Sequence, residues 1–330
     1  MLRNADTFFM NRIIPIASGK GGVGKSFLTV NLGVTLARMG KTVILVDLDL
    51  GGSNLHTFLG IKNSRAGIGT YLNKQADSLE SLVIPTSVDR LYFLPGDGLY
   101  TSAVQQHYFQ KMKIIKELPH LVADYILLDL GAGTNHNILD YFIPFPQGII
   151  VTVPETTAIL NAYSFLKSAL ARSVYRQFPP RSEERVLIQE FFRQRLEGSG
   201  TSLFTLADKL SEHNQDQGKA VRNLLETFYP GVIINMGRSV SDRDLGKNLR
   251  IICRKNLGIS LQYLGYLEWM PGVSRSITGR SPYCLDHQDQ LSSALEGVCR
   301  RLEKIVPEKS IPLFEGDEDL DNLNWAGPAR

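Results

Sequence analysis

The sequence is short of the residues that build metal centres and covalent frameworks. It holds three cysteines in 330 residues, Cys253, Cys284 and Cys299. No Cys-x-x-Cys pair exists, so a zinc or iron–sulfur site within the chain is not indicated and reduced thiols are expected. No uninterrupted apolar run approaches the length of a transmembrane helix. Met1–Asp6 lacks the long apolar core of a signal peptide. A cytoplasmic location is therefore expected, with any membrane contact peripheral. Neither sign of charge dominates: 36 Lys/Arg oppose 33 Asp/Glu, and a net charge of +3 is too small to mark a nucleic-acid binder by itself. No internal repeat is present. The remaining composition, 43% hydrophobic and 21% charged, is that of a soluble globular protein with room for one large domain or two small ones.

One stretch then stands out: Ser18-Gly19-Lys20-Gly21-Gly22-Val23-Gly24-Lys25-Ser26. It fits the phosphate-binding pattern G-x-x-x-x-G-K-[ST], with Gly19, Gly24, Lys25 and Ser26 at the fixed positions. The apolar run Ile13–Ala17 before it reads as a buried strand. Leu28, Leu32, Leu36 and Met39 after it recur at helical spacing. In a strand–loop–helix context the glycines let backbone N–H groups point at phosphate oxygens, and the helix N-terminus adds positive partial charge. Lys25 would reach the β- and γ-phosphates, and the Ser26 hydroxyl would ligate Mg²⁺. The second lysine, Lys20, is not required by the pattern. It reads either as a solvated surface charge or as a further phosphate contact.

Downstream, Val43–Val46 reads as a second buried strand, parallel to the first, entered after a helix cap at Gly40. It ends in Asp47 and Asp49. Ligands sit at the carboxyl ends of strands in a doubly wound sheet, so both aspartates are candidates to face a nucleotide. Asp49 equally reads as a turn cap. Leu91–Leu94 is a third strand, and Tyr108–Leu118 a helix closing before Pro119. Tyr125–Leu128 leads into Asp129-Leu130-Gly131-Ala132-Gly133, a Walker-B-like strand end and switch. There Asp129 would hold Mg²⁺ through water, and the glycines could swing toward a γ-phosphate. Further strands are expected at Gly148–Glu155, Val232–Asn235 and Leu264–Leu267. Helices are expected at Thr156–Leu170 and Gln290–Val306. The sum is an α/β fold, a three-layer α/β/α arrangement with a mostly parallel twisted sheet. A single domain over residues 1–306 would include a helical insertion at about 172–227, with a polar loop at Ser211–Gly218. Residues 307–330, with six acidic against two basic side chains, read as a flexible tail.

With its extra lysine at Lys20, the loop resembles the deviant Walker A signature of the MinD/ParA superfamily. Four later segments match in order: Val46–His56 resembles switch I, Leu128–Gly133 resembles Walker B with switch II, Pro154–Thr157 resembles a helix start, and Ile234-Asn235 with Leu264–Pro271 resembles the base-binding region. Asp47-Leu48-Asp49-Leu50-Gly51 is closer to the MinD/FlhG branch than to partition ParA, which usually has proline after the second aspartate. The resemblance implies an ATP- and Mg²⁺-dependent dimerisation switch. In it Gly19, Lys20, Gly21, Gly22, Val23, Gly24, Lys25, Ser26 and Phe27 would hold ATP, and Lys20 would cross to the partner's phosphates. Ser26, Asp47 and Asp129 would hold Mg²⁺, Asp49 would orient the attacking water, and Asn235 would recognise adenine. It also implies slow turnover stimulated by a regulatory protein partner, and a role in positioning or regulating a cellular structure.

The chain departs from that branch in its acidic rather than basic C-terminal segment, its short N-terminus and its insertion. Nitrogenase-reductase-like electron carriers share the fold, but the three cysteines do not follow their strand-end placement. Cobyrinic-acid amidases share the loop but need a glutaminase domain, and tyrosine kinases need a C-terminal tyrosine cluster. A ParA-like DNA-associated ATPase and a nucleotide-binding scaffold with little turnover remain as alternatives. For the former, Arg243, Lys247, Arg250 and Arg254 lie at one-face helical spacing, which reads either as a solvated helix face or as a basic surface for DNA.

Overall fold

The computed structural model describes residues 12–49, 52, 54–62, 66–96, 108–196 and 203–305. Leu50, Gly51 and Ser53 of the switch I segment, and the acidic stretch 307–330, lie outside them. The apolar runs form β1 (Arg12–Ser18), β2 (Val43–Leu48), β4 (Leu91–Leu94), β5 (Tyr125–Ala132), β6 (Ile149–Thr152), β7 (Gly231–Gly237) and β8 (Gln262–Glu268). A two-residue strand, β3 (Ile84–Pro85), completes an eight-stranded sheet in the order β3-β4-β2-β5-β1-β6-β7-β8. Only the β3–β4 pairing is antiparallel. β3 is too short to show any periodicity, and the sequence reading did not include it.

Both faces of the sheet are covered, which is why its strands read as continuous apolar runs rather than alternating ones. Ile44, Val46, Ile126, Leu128, Ile150 and Val232 face one layer. Ile14, Ile16, Val43, Leu45, Leu127 and Ile233 face the other. The second layer contains α1 (Lys25–Arg38), the short α2 (Leu55–Phe58), α12 (Tyr283–Asp286) and α13 (Gln290–Lys304), while α11 (Gly272–Thr278) lies at its rim. The first contains α3 (Ile68–Leu72), α4 (Tyr108–Glu117), α5 (His136–Phe142), α6 (Thr156–Tyr175) and α10 (Arg243–Leu257).

Local sequence sets these helices. α1 is buried around nearly its whole circumference, so its polar residues must find partners within the helix. Thr29, Asn31 and Thr35 each donate to the carbonyl four residues back, at 3.0, 2.8 and 2.7 Å. α13 is capped by Asp289, whose carboxylate accepts from the N–H groups of Leu291 and Ser292. The sequence puts Leu291, Leu295, Val298, Leu302 and Ile305 on one stripe; the first four are buried, and Ile305, at the C-cap, is half-buried.

Beyond α6 come α7 (Glu183–Leu196), α8 (Leu203–His213) and α9 (Gln215–Thr227). The polar loop expected at Ser211–Gly218 is instead a one-residue junction at Asn214. Its side chain accepts from Asp216 N–H at 2.9 Å and starts α9 at once.

A buried charge cluster ties three helices together. Asp140 on α5 accepts from Lys111 of α4 at 2.5 Å and from Arg172 of α6 at 2.6 and 3.0 Å, and Arg176 lies 3.5 Å away. All four side chains are buried. Burial alone would raise the Asp140 pKa, but Arg172 and Lys111 outweigh it and hold the carboxyl below its usual range. A depressed carboxylate stabilises the fold above its unfolded pKa, and the contribution is lost as pH falls through the folded value. Asp140→Asn leaves buried cations without their shared carboxylate. It is expected to cost about 3–5 kcal/mol of unfolding free energy at neutral pH by urea titration, with the deficit shrinking in acid. An unchanged urea midpoint would contradict this.

Candidate functional site

β1 delivers the chain to the loop at its carboxyl end, and α1 starts at Lys25. Gly24 is the N-cap, with φ of 84° in the left-handed region. A Cβ there would also lie 2.4 Å from the Asn235 amide nitrogen. A Cβ at Gly19 would meet the Asn161 carbonyl oxygen at 2.3 Å. The loop is thus pressed against β7 on one side and the first turns of α6 on the other. Val23 and Phe27 are buried beneath it, and Gly21 and Gly22 are exposed.

Asp129, on β5 next to β1, is the centre of the polar contacts. Its Oδ1 accepts from Lys25 Nζ at 2.7 Å, and its Oδ2 accepts from the Ser26 hydroxyl at 2.6 Å. The Thr29 hydroxyl lies 3.2 Å from Oδ1 and shares its one proton between Asp129 and the Lys25 carbonyl. Burial pushes the Asp129 carboxyl up, against the opposing pull of Lys25 and Ser26. Asp47 sits beside Asp129 in register on the adjacent strand β2 and is fully buried. It accepts from the N–H groups of Asp49 and Leu55, each at 3.2 Å, and so fixes the turn that follows β2. Asp49 is half-buried. Its carboxylate lies near the positions a Cβ would take at Gly52 and Gly131.

A cavity of about 580 Å³ opens at the carboxyl ends of the strands. Lys25, Ser26, Asp49, Asn235 and Trp269 are among its walls, and its size suits a nucleotide-sized ligand. Oxygen donors from Ser26, Asp47 and Asp129 make a hard set that fits Mg²⁺. The Ser18 hydroxyl, also in the wall, is buried with no hydrogen-bond partner in the structure, a donor or acceptor left for a ligand.

Two predicted residues have contacts that their roles did not foretell. Lys20 Nζ lies 2.5 Å from Glu155 Oε2, at the start of α6 of its own chain. The Asn235 amide donates to the Val23 carbonyl at 2.8 Å, bracing the loop while also lining the cavity. The sequence reading missed Glu155, Thr29 and Ser18 as members of the site. Thr29 is one helical turn from Lys25, a spacing that would have found it. Met236, beside Asn235, has φ of 56°, an uncommon value for a non-glycine residue and one that clusters at functional sites.

Residues 10–170 match the ParA family described as NUBPL iron-transfer P-loop NTPase. The septum site-determining protein MinD of Thermotoga maritima is 37% identical over 155 residues, 46% of this chain and 56% of that protein. The match therefore spans just over half the length of that curated relative. Among solved structures, MinD of Pyrococcus horikoshii complexed with Mg-ADP aligns with a TM-score of 0.60 at 21% identity, covering 89% of this chain and 97% of that one. The cell division ATPase MinD of Pyrococcus furiosus aligns at 0.61 and 20% identity, covering 89% and 99%. At those identities the two structures speak for the fold.

The loop geometry separates two glycines. Gly24→Ala forces a side chain into the left-handed region, at about 1–2 kcal/mol, and into Asn235. Gly21→Ala meets nothing within 4 Å. The first is expected to lower the thermal unfolding midpoint by several degrees and the second to leave it nearly unchanged. Equal midpoints would contradict the loop path.

Proposed function

We propose that this chain, similar to the MinD/ParA superfamily of P-loop NTPases and carrying its phosphate loop, is an ATP-binding and ATP-hydrolysing dimerisation switch. The observation that carries this reading is that Lys25 and Ser26, both held by the buried Asp129, line a strand-end cavity. A triphosphate entering along the loop offers Lys25 a second anionic partner, and the lysine exchanges Asp129 for phosphate. Ser26, Asp47 and Asp129 would hold Mg²⁺. Mg²⁺ would neutralise charge on the β- and γ-oxygens. Asp49 orients a water for attack on the γ-phosphorus, breaking its bond to the ADP oxygen. Asn235 meets the adenine end.

Lys20 supplies the link to a second copy. Its ion pair with Glu155 is solvent-accessible, with side-chain exposures of 31% and 62%, so it is worth little and is readily exchanged. Release from Glu155 lets Lys20 reach the phosphates of a partner subunit. ATP then joins two chains and hydrolysis parts them, slowly unless a regulatory protein intervenes. By likeness to relatives named for septum-site determination, the switch positions or regulates a cellular structure such as the division site, or, as in FlhG, flagellar number. The single-domain reading belongs to the same proposal, with α7–α9 as the partner-facing insertion.

A ParA-like association with DNA is the second reading. Arg243, Lys247, Arg250 and Arg254 are exposed on α10; Arg243 and Lys247 pair with Glu268 and Asp244, whereas Arg250, Arg254 and Lys255 form no ion pair among the described residues. Iron transfer is not proposed. Cys253, Cys284 and Cys299 are buried, and burial pushes their thiols up, Cys253 to about 12, away from the thiolate a ligand needs. No helix among the described residues is long and apolar enough to cross a membrane.

Lys25→Ala is expected to weaken ATP binding by about 100-fold in calorimetry, the upper range for a hydrogen bond to a charged group; retained affinity would remove the phosphate-loop reading. Asp49→Ala is expected to keep ATP affinity and lose most turnover in a phosphate-release assay. Wild-type turnover in that variant would reassign the water-orienting role, and no turnover in the wild type would favour the static scaffold.

A further inference from the structure

The sheet ends at β8, and a second cavity of about 340 Å³ lies there, between α10 and α13. Tyr263, Tyr266 and Glu268 of β8, Arg243 of the first turn of α10, and Gln290 and Arg301 of α13 line it. The nucleotide reading uses none of these side chains. The cavity collects donors from both layers of the fold. Arg301 Nε donates to the Leu264 carbonyl, and the guanidinium forms no ion pair among the described residues. Arg243 donates to Glu268 at 3.1 Å and lies 5.2 Å from the centre of the Tyr266 ring. The Tyr263 hydroxyl is shielded from solvent and has no hydrogen-bond partner among the described residues. Burial raises its pKa while Arg243 and Arg301 both act to lower it, so both cations reach the phenol electrostatically. A buried hydroxyl with a proton to donate, set among two guanidiniums, is a donor group lacking its acceptor.

We propose that this cavity binds a small organic anion, its carboxylate or phosphate seated between Arg243 and Arg301 with the Tyr263 hydroxyl donating to it, and its body against the rings of Tyr263 and Tyr266. The volume lies at the lower end of small-molecule sites. The aromatic walls favour a planar or apolar body over a bare ion.

The site has a route to the other cavity. Glu268 lines both, and Trp269, the next residue, lines the strand-end cavity. An anion that takes Arg243 from Glu268 releases that carboxylate beside Trp269. Occupancy at the edge therefore changes affinity at the strand-end cavity. This consequence rests on the nucleotide reading, whereas the anion site itself does not.

The test is calorimetry on the full chain with phenyl phosphate, benzoate and inorganic phosphate. The first two share a ring and differ in head group, so they identify the anion; the third lacks the body. At least one of the ring-bearing probes is expected to bind saturably and more tightly than inorganic phosphate. Arg243→Gln and the isosteric Tyr263→Phe are each expected to weaken it by about 10-fold or more, while ADP affinity without probe stays at the wild-type value in Tyr263→Phe, which leaves the Arg243–Glu268 pair in place. Absence of saturable binding of both ring-bearing probes up to about 10 mM, or equal binding by both variants, overturns the site. Probe binding that leaves ADP affinity unchanged overturns the coupling. Failure of the wild type to bind ADP while it binds probe overturns the nucleotide reading and supports the site.

Discussion

The buried contact between Lys25 and Asp129 is the constraint on which the head of the sheet depends. Removing a lysine and an aspartate from water is costly, and such a pair persists only where further hydrogen bonds complete it. Here Ser26 and Thr29 supply them, and all three donors come from the first turns of α1. The pair therefore fixes the start of α1 against β5, the sheet neighbour of the β1 strand that leads into the loop. Gly24 makes the approach sterically open, and Asn235 clamps the loop from the β7 side. A cluster assembled this tightly around one carboxylate suits a loop whose lysine must exchange one anion for another.

The same carboxylate stands at the head of a continuous path through the first layer. β5 runs on from Asp129 to Ala132, and Asn135 caps α5 three residues later, accepting from Ile138 N–H at 3.0 Å. α5 carries Asp140, whose cations come from α4 and α6. α6 begins at the Glu155 that holds Lys20 and continues toward α7–α9. One helix thus links the partner of the signature lysine to the buried charge cluster and to the added helices.

Much of this was legible in the sequence because it is local. The loop's fixed residues lie within eight positions, and the strands announce themselves as apolar runs bounded by Asp or Gly. The leucine stripe of α13 predicted its buried face. What was not legible was either too short or too distant. β3 has two residues and no period. The polar stretch at Ser211–Gly218 looked like a loop because composition alone does not reveal that Asn214 starts a helix at once. Glu155 lies 135 positions from Lys20, and no spacing rule connects them. The edge cavity joins β8 to residues of α10 and α13, and only the folded sheet brings Arg243 and Arg301 to the same tyrosine.

The central claim is that Lys20 and Lys25 divide one triphosphate site between two chains. Its most direct test is the mass of the wild-type protein by light scattering in Mg-ATP and in Mg-ADP, alongside Lys20→Ala in Mg-ATP. A dimer in ATP, a monomer in ADP and a monomeric Lys20→Ala that still binds ATP are predicted. A wild-type mass that is the same in both nucleotides, or a Lys20→Ala dimer as stable as the wild type, would contradict it.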